Sequence, residues 1–220
     1  MATLALLEVY EMTEDPGLRP AISAALDYTR ARQHASGGWG YGAGVEEAPN
    51  TSISAWQVQA LLKAHELGWA ESVDGPLRRG LAWMTGNVDR GGYFGYRRPR
   101  QFPDGAATLT MMGAYCALAA RRGNVTLDQD VMTRISRGVE ALSRNVPRDY
   151  YGLYFHVAAL QEAHHPASDA TADHFRLPLR RRQTVSGGDR GAWREADRWA
   201  SAGGRLYSTA MALLSLAEMR

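Results

Sequence analysis

The chain has 220 residues, 45% hydrophobic and 22% charged, with a formal net charge of +2. These values exclude a disordered tail, a collagen and a coiled-coil rod, and they leave no electrostatic footprint for nucleic acid. One cysteine, Cys116, excludes an internal disulfide framework and a multi-cysteine metal cage. Mean hydropathy is −0.35, and no apolar run approaches the ~18 residues that span a bilayer. Residues 1–12 lack the basic region and small-residue cleavage site of a signal peptide. The expectation is a soluble domain, cytoplasmic by default. Of the 25 basic residues only Lys63 is a lysine, which reads first as coding bias and second as phosphate recognition.

The chain opens inside a helical pattern at Met1-Ala2-Thr3-Leu4 and closes that helix on Glu11-Met12. An amphipathic helix is expected over 20–33, with Pro20 in its first turn. The next helix is apolar: Asn50-Thr51-Ser52 supplies its cap, Ile53, Trp56, Val58, Leu61, Leu62 and Leu67 follow, and Gly68 ends it. A charged helix over 76–85 begins on Pro76. Asp104-Gly105-Ala106 then opens an apolar helix that runs through Leu109, Met112, Tyr115 and Leu118 to Gly123. Charged helices over 128–144 and 169–182 flank an apolar one over 151–163. A last apolar helix starts at Gly203-Gly204 and carries Met211, Leu213 and Leu214. Helices apolar nearly all round belong in a buried inner layer, and amphipathic ones in a solvated outer layer. The pattern predicts five inner and four outer helices in alternation, and no strand.

Three loops repeat a theme. They are Gln33-His34-Ala35-Ser36-Gly37-Gly38-Trp39-Gly40-Tyr41, then the 87–96 segment with Gly91-Gly92-Tyr93-Phe94-Gly95-Tyr96, and a degenerate 183–193 segment ending Gly191-Ala192-Trp193. Each follows a helical pattern and ends in an aromatic beside glycine. A helix, then Gln-x-x-x-Gly-Gly-Trp-Gly-Tyr, then a Thr-Ser helix start with Trp56-Gln57, resembles the prenyltransferase and squalene-cyclase repeat. The closing Gly204-Arg205-Leu206-Tyr207-Ser208-Thr209 segment resembles that family's last repeat. The resemblance covers essentially the whole chain, here read as one domain over 1–220. It implies an α/α toroid, with inner helices around a central cavity. A full toroid has six hairpins and this chain offers four to five. The expectation is therefore an incomplete toroid: the C-terminal part of a longer protein, or an open arc whose ends an upstream half, a partner or a second copy covers.

The family's chemistry is tested position by position. Its zinc ligands would fall at Asp104, Ala106 and Ser208, and neither alanine nor serine supplies a zinc ligand. No metal and no cofactor are therefore expected. The cyclase acid cluster would fall at Ala48-Pro49-Asn50-Thr51-Ser52, where the acidic pair is missing; such an acid would have to lie upstream. The thioester motif is absent, because Ala117-Leu118-Ala119 follows Cys116.

Asp104, Asp149 and Asp189 at loop-to-helix junctions suit helix capping, or the carboxylate pair of a carbohydrate-active helical barrel. The stretch with His164, His165, Asp169, Asp173 and His174 reads as a surface turn at Pro166 followed by a helix start. His156 is placed either inward, as an acid, base or ligand-orienting group, or in the core with a hydrogen bond. Trp56, Tyr115, Tyr151 and Tyr154 on inner helices are expected to line an apolar cavity suited to an apolar small molecule or a peptide. Arg97 and Arg98, before an inner helix, are candidates for anion binding at its rim, and 180–182 reads as a solvated face. The reading is a ligand-binding toroid domain without recognisable catalytic groups; the alternative is the C-terminal part of an isoprenoid-handling enzyme whose acid lies upstream, and Asp104, Asp149 and His156 are the catalytic candidates if it is an enzyme.

Overall fold

A computed structural model describes residues 1–42, 48–102, 105–145, 147, 149–194 and 199–219. Among them are nine α-helices: α1 (Ala2–Thr13), α2 (Arg19–Ala31), α3 (Thr51–Ala64), α4 (Ala70–Gly86), α5 (Ala106–Arg122), α6 (Gln129–Leu142), α7 (Tyr150–Glu162), α8 (Ala167–Arg181) and α9 (Ala200–Glu218). The chain is all-α; the described residues hold two isolated β-bridges and no strand.

Short polar residues start several of these helices. The Asn50 side chain accepts from the Ile53 amide at 2.9 Å, Asp128 from Val131 at 2.9 Å, and Asp149 from Gly152 at 2.7 Å. Each satisfies an amide that the first turn leaves unpaired. Between α3 and α4 the chain reverses at Gly68, whose φ of 92° lies in the left-handed region. α4 begins at Ala70, earlier than the expected start, and Pro76 lies inside it. Proline has no N–H for the Ser72 carbonyl. The Arg30 guanidinium instead reaches that oxygen at 3.5 Å.

Helices α1, α3, α5, α7 and α9 each pack on the next, while α2, α4, α6 and α8 each pack on the helix before them. The sequence pattern explains the split. Every residue of α7 from Gly152 to Leu160 is buried. α6 buries only one stripe, with Met132, Ile135, Val139 and Leu142 at three- and four-residue spacing. One apolar core runs through the described helices, from Leu7 to Met219.

The three loops share their hydrogen bonds as well as their residues. The Trp39 amide donates to Ser54 Oγ at 2.9 Å, the Phe94 amide to Thr110 Oγ1 at 3.0 Å, and the Trp193 amide to Thr209 Oγ1 at 3.1 Å. Gln33 Nε2 bonds the Gly37 carbonyl at 2.7 Å, and Gln183 Nε2 bonds that of Gly191 at 2.9 Å. Both indole N–H groups cap the preceding outer helix: Trp39 Nε1 donates to Thr29 O and Trp193 Nε1 to Leu179 O, each at 2.8 Å. Gly37, Gly92 and Gly191 have φ of 106°, 93° and 91°. A Cβ on Gly37 would collide with the Arg79 carbonyl of α4, and one on Gly92 with the Arg134 carbonyl of α6. Thus the first two loops staple one outer helix to the next. At Gly191 a Cβ would meet nothing within 4 Å among the described residues.

Candidate functional site

The inner helices share one direction. Ser52 and Trp56 of α3, Thr108 and Met112 of α5, Tyr151 of α7 and Gly203 of α9 line pockets at their N-terminal ends. Glu11 of α1, Lys63 of α3, Arg122 of α5 and Glu218 of α9 line a pocket at their C-terminal ends. The structure therefore has two mouths, where the sequence suggested one cavity.

An aromatic partition separates them. Trp56 stacks on Tyr154, with centroids 5.7 Å apart and planes 2° from parallel. Tyr115 meets Tyr154 edge-on at 6.5 Å, and Phe155 lies 5.2 Å from both Trp56 and Tyr151. All four aromatics expected on the inner helices thus meet in one cluster. Trp56 and Tyr151 face the N-terminal mouth, while Tyr115 and Tyr154 face the C-terminal one.

The N-terminal mouth comprises two adjoining pockets of about 320 and 390 Å³. Its walls are apolar or aromatic, with Leu109 and Met112 in the wall and the exposed rings of Tyr41, Phe102 and Trp199 at the rim. Three of its polar groups bond each other. The Tyr151 hydroxyl is 2.9 Å from Ser52 Oγ and accepts from Trp56 Nε1 at 3.0 Å. Burial pushes the Tyr151 phenol up to about 12, so it stays neutral at physiological pH.

The remaining candidates lie elsewhere. His156 is buried and lines neither mouth. It follows Tyr154 by two residues, about 200° around the helix, so the two side chains leave α7 on opposite sides. Its imidazole bonds the Ser143 backbone, Nε2 has no partner among the described residues, and burial lowers its pKa to about 4. Of the two placements weighed for it, inward or in the core, the geometry matches the core histidine, neutral at physiological pH. Asp149 is the cap of α7. Asp104 lies outside the described residues. Asp189 is in the third loop rather than at a helix start, and pairs with Arg205. Arg97 and Arg98 are exposed, and neither lines a mouth. The Arg97 guanidinium sits 6.0 Å from the ring centre of Tyr96, which does line the N-terminal mouth.

Cys116 is fully buried, with Sγ 3.5 Å from the Ala55 carbonyl, and burial raises its thiol pKa. At the turn before α8, the Ala167 amide donates to His165 Nδ1 at 3.0 Å, so Nε2 carries the proton toward Glu140 at 2.8 Å. Sequence reasoning passed over Glu8, Gln59 and Glu218 at the C-terminal mouth. The available signal was a polar residue on helices otherwise apolar nearly all round.

No protein-family model matches the chain, and no curated protein matches it.

Proposed function

We propose that the chain is an arc of an α/α toroid of the prenyltransferase and squalene-cyclase kind, and that it holds an apolar small molecule at its N-terminal mouth. Three features support the toroid reading: the alternation of inner and outer packing, the common direction of the inner helices, and the repeated staple loops. One observation carries the ligand reading. The mouth is apolar, rimmed by exposed aromatic rings, and its polar atoms on Ser52, Tyr151 and Trp56 already bond each other. A polar ligand would lose water there and find few partners, whereas an apolar one gains by burial.

Trp56 and Trp199 flank the mouth, so intrinsic fluorescence reports occupancy. Farnesol is a suitable probe, because it is a flexible isoprenoid with one polar end. Saturable quenching with a Kd on the order of micromolar, about −8 kcal/mol, is expected. Thr108→Phe fills the mouth and should abolish it while the far-UV circular dichroism stays unchanged. The proposal fails if farnesol gives no saturable change, or if Thr108→Phe leaves binding intact. Saturable binding of an apolar peptide in place of farnesol would also displace the small-molecule reading.

A further inference from the structure

The C-terminal mouth has the opposite character. The C-terminal ends of α1, α3, α5 and α9 converge on it, bringing the negative ends of their dipoles together. Glu8, Glu11, Glu66 and Glu218 line it, against two cations, Lys63 and Arg122. Those cations are already engaged. Lys63 Nζ is 3.0 Å from Glu11 and 4.0 Å from Glu66. Arg122 is 2.8 Å from Glu162 and 3.2 Å from Glu66.

Glu8 of α1 and Glu218 of α9 have no cation within ion-pair distance among the described residues. Burial pushes both carboxyls above their usual range, more strongly than Lys63 and Arg122 pull them down. The four carboxyls of the pocket outnumber its two cations, and both cations are bonded to carboxylates other than Glu8 and Glu218.

Its floor adds an independent observation. Gln59 is 5% exposed and lines the pocket. Its Oε1 accepts from the Tyr154 hydroxyl at 3.2 Å, and its Nε2 is buried without a partner among the described residues. A buried amide N–H group left unpaired calls for an acceptor. The rest of the pocket, about 400 Å³, is apolar and aromatic: Leu4, Leu62, Leu214, Tyr115 and Tyr154.

We propose that this mouth binds a small organic ammonium ion that also carries an oxygen acceptor. The ammonium sits between Glu8 and Glu218, the hydrocarbon part lies on the leucines and the tyrosine rings, and the oxygen accepts from Gln59 Nε2. Tyrosine faces attract a cation as well as the alkyl chain. The site is separate from the N-terminal mouth and independent of what binds there.

The probe is 5-amino-1-pentanol, titrated against the full chain and followed by protein chemical shifts. Pentylammonium lacks the acceptor and pentanoate has the wrong charge. The expected order is 5-amino-1-pentanol above pentylammonium by severalfold, and no saturation with pentanoate. The Glu8→Gln/Glu218→Gln double variant keeps the shape and should lose at least about tenfold in affinity. Gln59→Leu should erase the difference between the two ammonium probes.

Should either variant fail to fold, the wild-type chain gives the answer. Affinity should fall as pH drops from 7 to 4, because Glu8 and Glu218 protonate while Lys63 and Arg122 stay charged. Glu11, Glu66 and Glu162 pair with Lys63 and Arg122 beside the site, and burial keeps Tyr115 and Tyr154 neutral. Four results would overturn the proposal: no saturation with either ammonium, pentanoate binding equally well, affinity unchanged in the double variant, or affinity independent of pH.

Discussion

The three staple-loop glycines form a built-in comparison. Gly37, Gly92 and Gly191 all sit near φ +100°. Replacing any of them with alanine costs about 1–2 kcal/mol for the left-handed conformation alone. For Gly191→Ala nothing else is added, because the new Cβ meets nothing within 4 Å among the described residues. For Gly37→Ala and Gly92→Ala the Cβ lands on a backbone carbonyl of the next outer helix, at Arg79 and Arg134. Backbone cannot rotate out of the way, so overpacking adds about 1–3 kcal/mol more. The expected losses are about 1–2 kcal/mol at Gly191 and 2–5 kcal/mol at the other two. Urea unfolding followed by circular dichroism measures this. With an m-value of ~2–3 kcal/mol/M, the two groups should differ by about 0.3–1.5 M in midpoint. Equal losses at all three sites would refute the staple argument. A larger loss at Gly191 would mean that the third loop is covered in solution.

Other expectations follow from the same geometry. Ser54→Ala and Thr110→Val each strand a buried amide, of Trp39 or Phe94, and should cost about 1–3 kcal/mol by urea unfolding, more than Thr209→Val at the partly buried third loop. His156 has a folded pKa of about 4 against ~6.5 unfolded, so the unfolded chain takes the proton first as pH falls. Its contribution is fully present above ~6.5 and is lost progressively down to about 4, amounting to about 1 kcal/mol between pH 7 and 5.5. His156→Asn should flatten that slope, whatever its effect at pH 7; an unchanged slope would contradict the assignment. Cys116, buried and with a raised pKa, should react with a thiol reagent only as fast as the protein opens, and should give one equivalent once denatured. Fast reaction in the native state would contradict its placement.

The helices were legible because burial on all sides and burial on one side leave different patterns. Compare Gly152–Leu160 of α7 with the Met132, Ile135, Val139 stripe of α6. Asn50 and Asp149 announced their helices, and the glycine–aromatic loops announced the repeat. The start of α4 was not legible. Proline normally marks a first turn, but here Arg30 reaches the carbonyl that Pro76 leaves bare. His156 was ambiguous because its placement turns on two residues of helical phase relative to Tyr154. The partition between the mouths depends on the ring geometry of Trp56 and Tyr154, which composition does not carry. Glu8 and Glu218 lie at opposite ends of the chain, and only the arrangement of α1 and α9 around a shared pocket brings them together.

The central claim is that the N-terminal mouth takes an apolar ligand. Calorimetric titration of farnesol at several temperatures tests it most directly, in wild type and in Thr108→Phe. The account predicts one-to-one binding with a clearly negative heat-capacity change, the mark of apolar burial, and its loss in the variant. Binding with no heat-capacity change, binding that survives Thr108→Phe, or no binding at all would contradict it.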